Sequence, residues 1–121
     1  MDAWIYDTCR TPRGRGKADG SLYTVKPMHL LVAVLDATAR RNGLPKDSVD
    51  EVLVGCVTQV KDQGACVART AVLASSLGDK PAAATVNRFC GSGLEAVNSA
   101  AAMVASGYHD LCIAGGVESM S

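Results

Sequence analysis

Two spacings of apolar residues alternate along this chain, and no other feature restricts its fold as much. Pro27 to Asn42 sets Leu30, Leu31, Val34, Leu35 and Thr38 at helical intervals, with Arg40 and Arg41 in the last turn and Gly43 just beyond. Cations near the C-terminus and a glycine stop complete a helix pattern. Val49 to Val57, VDEVLVGCV, is a β-branched run of strand length. Gln63 to Leu77 returns to helical spacing through Val67, Ala71, Val72 and Ala74, closed by Gly78, and Ala83 to Phe89, AATVNRF, predicts another strand. Leu94, Val97, Ala101 and Val104 then recur with helical period up to Gly107, and Asp110 to Ala114 predicts a last strand running into Gly115-Gly116. Residues 3 to 8, AWIYDT, add a β-prone run at the start.

The resulting order, β-α-β-α-β-α-β, predicts an α/β fold. Right-handed crossovers between parallel strands put helices on both faces of a mostly parallel sheet. A chain of 121 residues is the size of one domain, since domains commonly hold ~100–150 residues. The last predicted helix is apolar or small on nearly every side, with Glu95 its only charge. Such a helix is expected to be buried all round, and the sequence holds too few elements to cover it.

Charge and cysteine usage narrow the function. Twelve basic residues balance twelve acidic ones, so no global field draws the chain to nucleic acid or an anionic membrane. No apolar run approaches the ~18–20 residues of a membrane span. Met1 to Asp7 carries an acid at once and no basic start before an apolar core, which is not a secretory signal, and a cytoplasmic location is expected. Cys9, Cys56, Cys66, Cys90 and Cys112 are odd in number and irregularly spaced, and the only histidines are His29 and His109. That pattern fits neither a disulfide framework nor a metal site. Cys56 and Cys112 lie within apolar runs and read as packing residues. Arg10, Arg13, Arg15 and Lys17 lack phosphate-loop spacing and read as a solvated basic loop.

Cys90 differs from the other four. It stands between a predicted strand and a predicted helix, followed by Gly91, Ser92 and Gly93. The first N–H groups of a helix lack intrahelical partners, and with the positive end of the helix dipole they favour a thiolate. Gly91 and Gly93 are expected to let the backbone turn sharply and a bulky thioester approach, while the Cys90 N–H points at a developing oxyanion. Ligands of open α/β sheets bind beyond the carboxyl ends of strands, where this residue lies. A buried cysteine beside a helix-start glycine is the competing reading of these four residues.

The whole stretch from Val86 to Val97, VNRFCGSGLEAV, resembles the nucleophile signature of the thiolases. RTPRG at 10–14, VARTA at 67–71 and GGVESMS at 115–121 resemble further motifs of that family, in the same order. The resemblance implies a thiolase-like N-terminal βαβαβαβ unit over 1–121, incomplete relative to a full thiolase. It implies an acyl-CoA acyltransferase in which Cys90 attacks an acyl-CoA substrate and carries the acyl group, with Gly91 and Ser92 beside the substrate. Coenzyme A enters as co-substrate, and no permanently bound cofactor or metal is implied. Partners implied are a homodimer or tetramer, with Ala84 to Phe89 pairing with its twin, or a companion chain carrying the C-terminal half. Family motifs of the kind NEAFA, GHPxGxSG and CxGGG do not occur in these residues, and His29 and His109 do not stand in for them. The 121 residues alone are therefore expected to be inactive in thiolysis. A noncatalytic folding or assembly module is the alternative, and a ketoacyl-synthase-like condensing enzyme a weaker one. Cys66, where the family often has Asn, reads as packing.

Overall fold

The computed structural model describes residues 1–121. Its elements are α1 (Pro27–Asn42), β1 (Glu51–Gly55), a 3-10 turn (Lys61–Gln63), α2 (Val67–Ala74), β2 (Ala82–Val86), α3 (Ser92–Ala105) and β3 (Cys112–Gly116). The strands form one parallel sheet in the order β2-β1-β3. Gly55 lies opposite Val86 on one side and Gly116 on the other, so all three strands end at the same sheet edge.

Alternation along β1 decides which helix packs where. Val52 and Val54 point to one face and Leu53 to the other, as the two-residue period of a strand requires. The first face meets α1 and α2. In α1, Pro27, Leu31, Leu35 and Ala39 are buried, a stripe repeating every four residues. Its ends follow from sequence: Pro27 fits the first turn, where its missing N–H costs nothing, and Gly43 closes the helix at a φ of 60°. The buried residues of α2, Val67, Ala68, Ala71 and Val72, join that stripe and the strand in a cluster of 12. Full burial of each Leu or Val there contributes roughly 1.5–3 kcal/mol. On the second face, Leu53 meets Ala96 and Ala100 of α3 in a cluster of only 3. No helix is long and apolar enough to cross a membrane.

Three expectations are corrected. Residues 3–8 are not a strand: they pair with nothing, and Trp4, Ile5 and Tyr6 are 76%, 78% and 88% exposed. The run is anchored instead through Asp7, whose carboxylate accepts from Arg41 Nη2 at 2.9 Å and Asn42 Nδ2 at 2.8 Å. An open cleft of about 1730 Å³ is lined both by this run and by β3. β-Propensity acts through cross-strand neighbours, and here the run has none. Second, α3 is not buried all round: Ser92, Ala96 and Ala100 are buried, Leu94 is 66% exposed, and Val97 and Val104 face the cleft. Too few elements surround it. Third, α2 is half the expected length, because Ser75 turns the chain, its hydroxyl donating to the Val72 carbonyl at 2.8 Å and accepting from the Leu77 N–H.

Candidate active site

Between the end of β2 and the start of α3 the chain reverses within Asn87-Arg88-Phe89-Cys90-Gly91. Asn87 Oδ1 accepts from the Phe89 N–H at 2.8 Å. Phe89 adopts a φ of 47°, a left-handed conformation that costs a non-glycine residue roughly 1–2 kcal/mol. Ser92, only 4% exposed, offsets that cost from the other side. Its hydroxyl donates to the Phe89 carbonyl at 2.6 Å and accepts from the Arg88 N–H at 2.9 Å. The Gly91 and Ser92 N–H groups close the turn on the Arg88 and Phe89 carbonyls, each at 3.0 Å.

Cys90 sits at the apex, exposed. Its N–H and those of Gly93 and Leu94 have no acceptor within the chain. These three donors lie at the positive end of a 14-residue helix, within four residues of the thiol in sequence. The sharp turn expected at the glycines is made by Phe89 instead. Gly91 has a φ of −93°, and a Cβ on Gly93 would meet nothing within 4 Å. Within the chain neither glycine is required by crowding, since a Cβ on Gly91 would meet only Arg88, at 3.4 Å. Ser92, expected beside substrate, spends its hydroxyl on the turn.

Glycine is required elsewhere, at Gly55 on the end of β1. A Cβ there would overlap the backbone of Ser92 and Gly93. The start of α3, and Cys90 with it, can lie against the sheet only because position 55 has no side chain.

A third segment reaches this sheet edge. Beyond β3, the Glu118 carboxylate accepts from the Val57 N–H at 2.8 Å, the Thr58 N–H at 3.3 Å and Gln63 Nε2 at 3.2 Å. Partial burial by itself pushes the Glu118 carboxyl up, but the hydrogen bonds from Thr58, Val57 and Gln63 outweigh it and hold the group below its ordinary 4.5. Gln63 in turn accepts from the Ser119 N–H. Cys56, between this carboxylate and the core, is pushed up to about 11 by burial and then by Glu118, so it stays a thiol at neutral pH. Burial, with Asp50 and Glu51 nearby, also raises the Cys112 thiol. Cys66 lies 3.5 Å from the Thr85 hydroxyl and packs on β2. His29 is exposed on α1. His109 Nε2 is 3.7 Å from Glu51, at the opposite end of β1 from Gly55.

Residues 3–121 match the family model for the thiolase N-terminal domain. The chain belongs to the thiolase family. It is 40% identical over 120 residues to a 3-ketoacyl-CoA thiolase of Marinobacter nauticus, covering 98% of this chain and 30% of that protein. It is also 40% identical over 121 residues to a β-ketoadipyl-CoA thiolase of Pseudomonas aeruginosa, covering 99% and 30%. Among solved structures it resembles an acetyl-CoA acetyltransferase of Bacillus anthracis, with a TM-score of 0.76 and 40% identity over 82% of this chain and 25% of that one. The chain thus spans about 30% of the length of the curated thiolases it matches. Within this thiolase segment, the sequence motif pointed to Cys90. It gave no role to Gly55, Asn87 or Glu118, because each acts on backbone groups remote in sequence or through a turn whose shape is set in three dimensions. The available hints were that Asn87 falls within VNRFCGSGLEAV and Glu118 within GGVESMS.

Proposed function

We propose that this chain supplies the acyl-accepting nucleophile of an acyl-CoA acyltransferase of the thiolase type, and that the nucleophile is Cys90. The supporting observation is the exposed thiol beyond the carboxyl end of β2, at a helix start where the Cys90, Gly93 and Leu94 N–H groups have no acceptor within the chain. In the degradative direction the Cys90 sulfur forms a bond to C3 of a 3-ketoacyl-CoA, and the carbonyl electrons move onto oxygen. Backbone N–H groups stabilise that oxyanion. As the carbonyl re-forms, the C2–C3 bond breaks, and its electron pair goes to C2, which takes a proton to give acetyl-CoA. The thiolate of coenzyme A then attacks the acyl-Cys90 carbonyl, releasing the shortened acyl-CoA and the Cys90 thiolate. In the condensing direction the same steps run in reverse. Gly91 and Gly93 leave the space through which the thioester approaches.

Proton transfer at C2 needs an acid-base group beside Cys90, and neither histidine is there: His29 is on α1 and His109 pairs toward Glu51. The 121 residues by themselves are therefore expected to take an acyl group slowly and to perform no measurable thiolysis, since a nucleophile without the groups that act with it loses most of its effect. A cytoplasmic setting, coenzyme A as the only co-substrate and a homo-oligomeric or companion-chain assembly belong to the same reading.

Intact-mass and peptide analysis after incubation with acetyl-CoA tests it. An acetyl adduct on Cys90 that Cys90→Ser abolishes is the expected outcome, whereas an adduct on any other cysteine, or none, overturns it. Turnover of acetoacetyl-CoA with coenzyme A at an ordinary enzymatic rate would show that an acid-base group is present after all. The assembly-module reading draws on the exposed Trp4, Ile5 and Tyr6 beside the open cleft. It is favoured if the chain takes up no acyl group yet associates with a partner unaffected by Cys90→Ser.

A further inference from the structure

The turn that carries Cys90 is linked to β1 and β3 by side-chain hydrogen bonds. Asn87 uses both ends of its amide. Its Oδ1 accepts from the Phe89 N–H at 2.8 Å, inside the turn, while its Nδ2 donates to the Val57 carbonyl at 3.4 Å, outside it. The Val57 peptide is held on its other side by Glu118, through the Val57 N–H at 2.8 Å and the Thr58 N–H at 3.3 Å. Gln63 closes the set, donating to the Thr58 carbonyl at 2.8 Å and to Glu118 at 3.2 Å. A single path of hydrogen bonds therefore runs from the segment after β3, through the end of β1, to the residue immediately before the nucleophile.

The path ends where it has most leverage. Phe89 is the residue held in the left-handed region. Released to an ordinary conformation, it would swing the following peptide and move the Cys90 N–H and sulfur together relative to the start of α3. Two groups oppose that release, Ser92 from the helix side and Asn87 from the strand side. The Ser92 hydroxyl bonds only within the turn, and its backbone meets the sheet through van der Waals contact with Gly55, so the side-chain hydrogen bond that joins the turn to the segment after β1 is that of Asn87.

We propose that Asn87 is the positioning residue for the Cys90 turn, and that Glu118 acts on the nucleophile through Asn87 by fixing the Cys56–Thr58 segment to which the Asn87 amide donates. The proposal rests on the reading of Cys90 as acyl acceptor. Glu118 and Asn87 touch neither the sulfur nor the acyl group. They set where the sulfur and the Cys90 N–H stand relative to the start of α3, which matters for acyl transfer and hardly at all for simple alkylation.

Four variants test it in the 121-residue chain: Asn87→Asp, Glu118→Gln, their combination and Asn87→Ala. Asn87→Asp keeps an oxygen for the Phe89 N–H but sets a carboxylate oxygen against the Val57 carbonyl, cutting the path while preserving the turn. Glu118→Gln places an amide donor among three N–H donors. Amide exchange at Phe89 should quicken with Glu118→Gln when Asn87 is present, and should not respond to it in the Asn87→Asp background, a non-additivity that a double-mutant cycle reads directly. Equal responses in the two backgrounds, or no response at Phe89, overturn the proposed path. A second readout compares two reagents at Cys90. Asn87→Ala is expected to slow acylation by a thioester about tenfold or more while changing iodoacetamide alkylation less than about twofold, because only acylation uses an oxyanion donor. Equal slowing of both reactions also overturns it. Failure of the unmodified chain to be acylated would count against Cys90 as acyl acceptor, whereas the exchange cycle would still decide whether Glu118 reaches the turn.

Discussion

The two faces of the sheet are made from the same three strands and are unequal in every other respect. On one, α1 and α2 close over a cluster of 12 buried residues rich in Leu and Val. On the other, α3 contributes alanines to a cluster of 3 and shows Leu94 to solvent. The first face holds the fold together. The second carries the thiol, and what it gains from its small residues is closeness: the start of α3 lies directly on Gly55, and the exposed apex above it stays uncovered.

The largest effect that separates them is expected in the first core. Leu35→Ala, at a site 3% exposed, should cost about 2–5 kcal/mol in chemical denaturation, as deleting a buried leucine side chain does. A loss no greater than that of Leu94→Ala would erase the distinction between the faces. The second effect comes from Gly55→Ala, which overpacks the α3 face and is expected to cost about 1–3 kcal/mol. Because the added methyl displaces Ser92 and Gly93, it should also slow acylation of Cys90, and an unaltered rate would mean that α3 finds another way to keep its turn in place.

The smallest effect is a titration. The Glu118 carboxyl lies below 4.5 in the folded chain, so its contribution is fully present above that pH and is lost as the pH falls through the lower, folded value. The amide proton shifts of Val57 and Thr58 should therefore move together with a midpoint below 4.5, and the α1/α2 core should be unaffected over the same range. A midpoint at or above 4.5 would contradict the hydrogen-bond assignment.

The same inequality governs what could be read in advance. α1 was legible from end to end, Pro27 to Asn42, since its stripe, its proline start and its αL glycine are all local signals. The parallel order of the three later strands and the place of Cys90 between strand and helix also follow from short-range pattern. The run at 3–8 misled because β-prone composition says nothing about whether a neighbour is at hand. Gln63 to Leu77 was too long because helical spacing continues through residues that Ser75 and the 3-10 turn take out of the helix. At the site, glycines drew attention that belonged to Phe89, Asn87 and Gly55. A left-handed φ on a phenylalanine has no sequence signature, and the bonds from Glu118 to residues 57 and 58 span 61 and 60 positions.

Gly55 also limits how this turn can be transplanted. A graft of residues 86–95 onto another βαβ unit would bring Asn87, Phe89, Cys90 and Ser92 together, but the host's neighbouring strand would ordinarily present a Cβ where this chain has none. The helix would then ride outward by the thickness of that side chain, carrying the sulfur with it. A working copy of the turn must therefore include one position from a strand more than thirty residues upstream, chosen for the atoms it lacks.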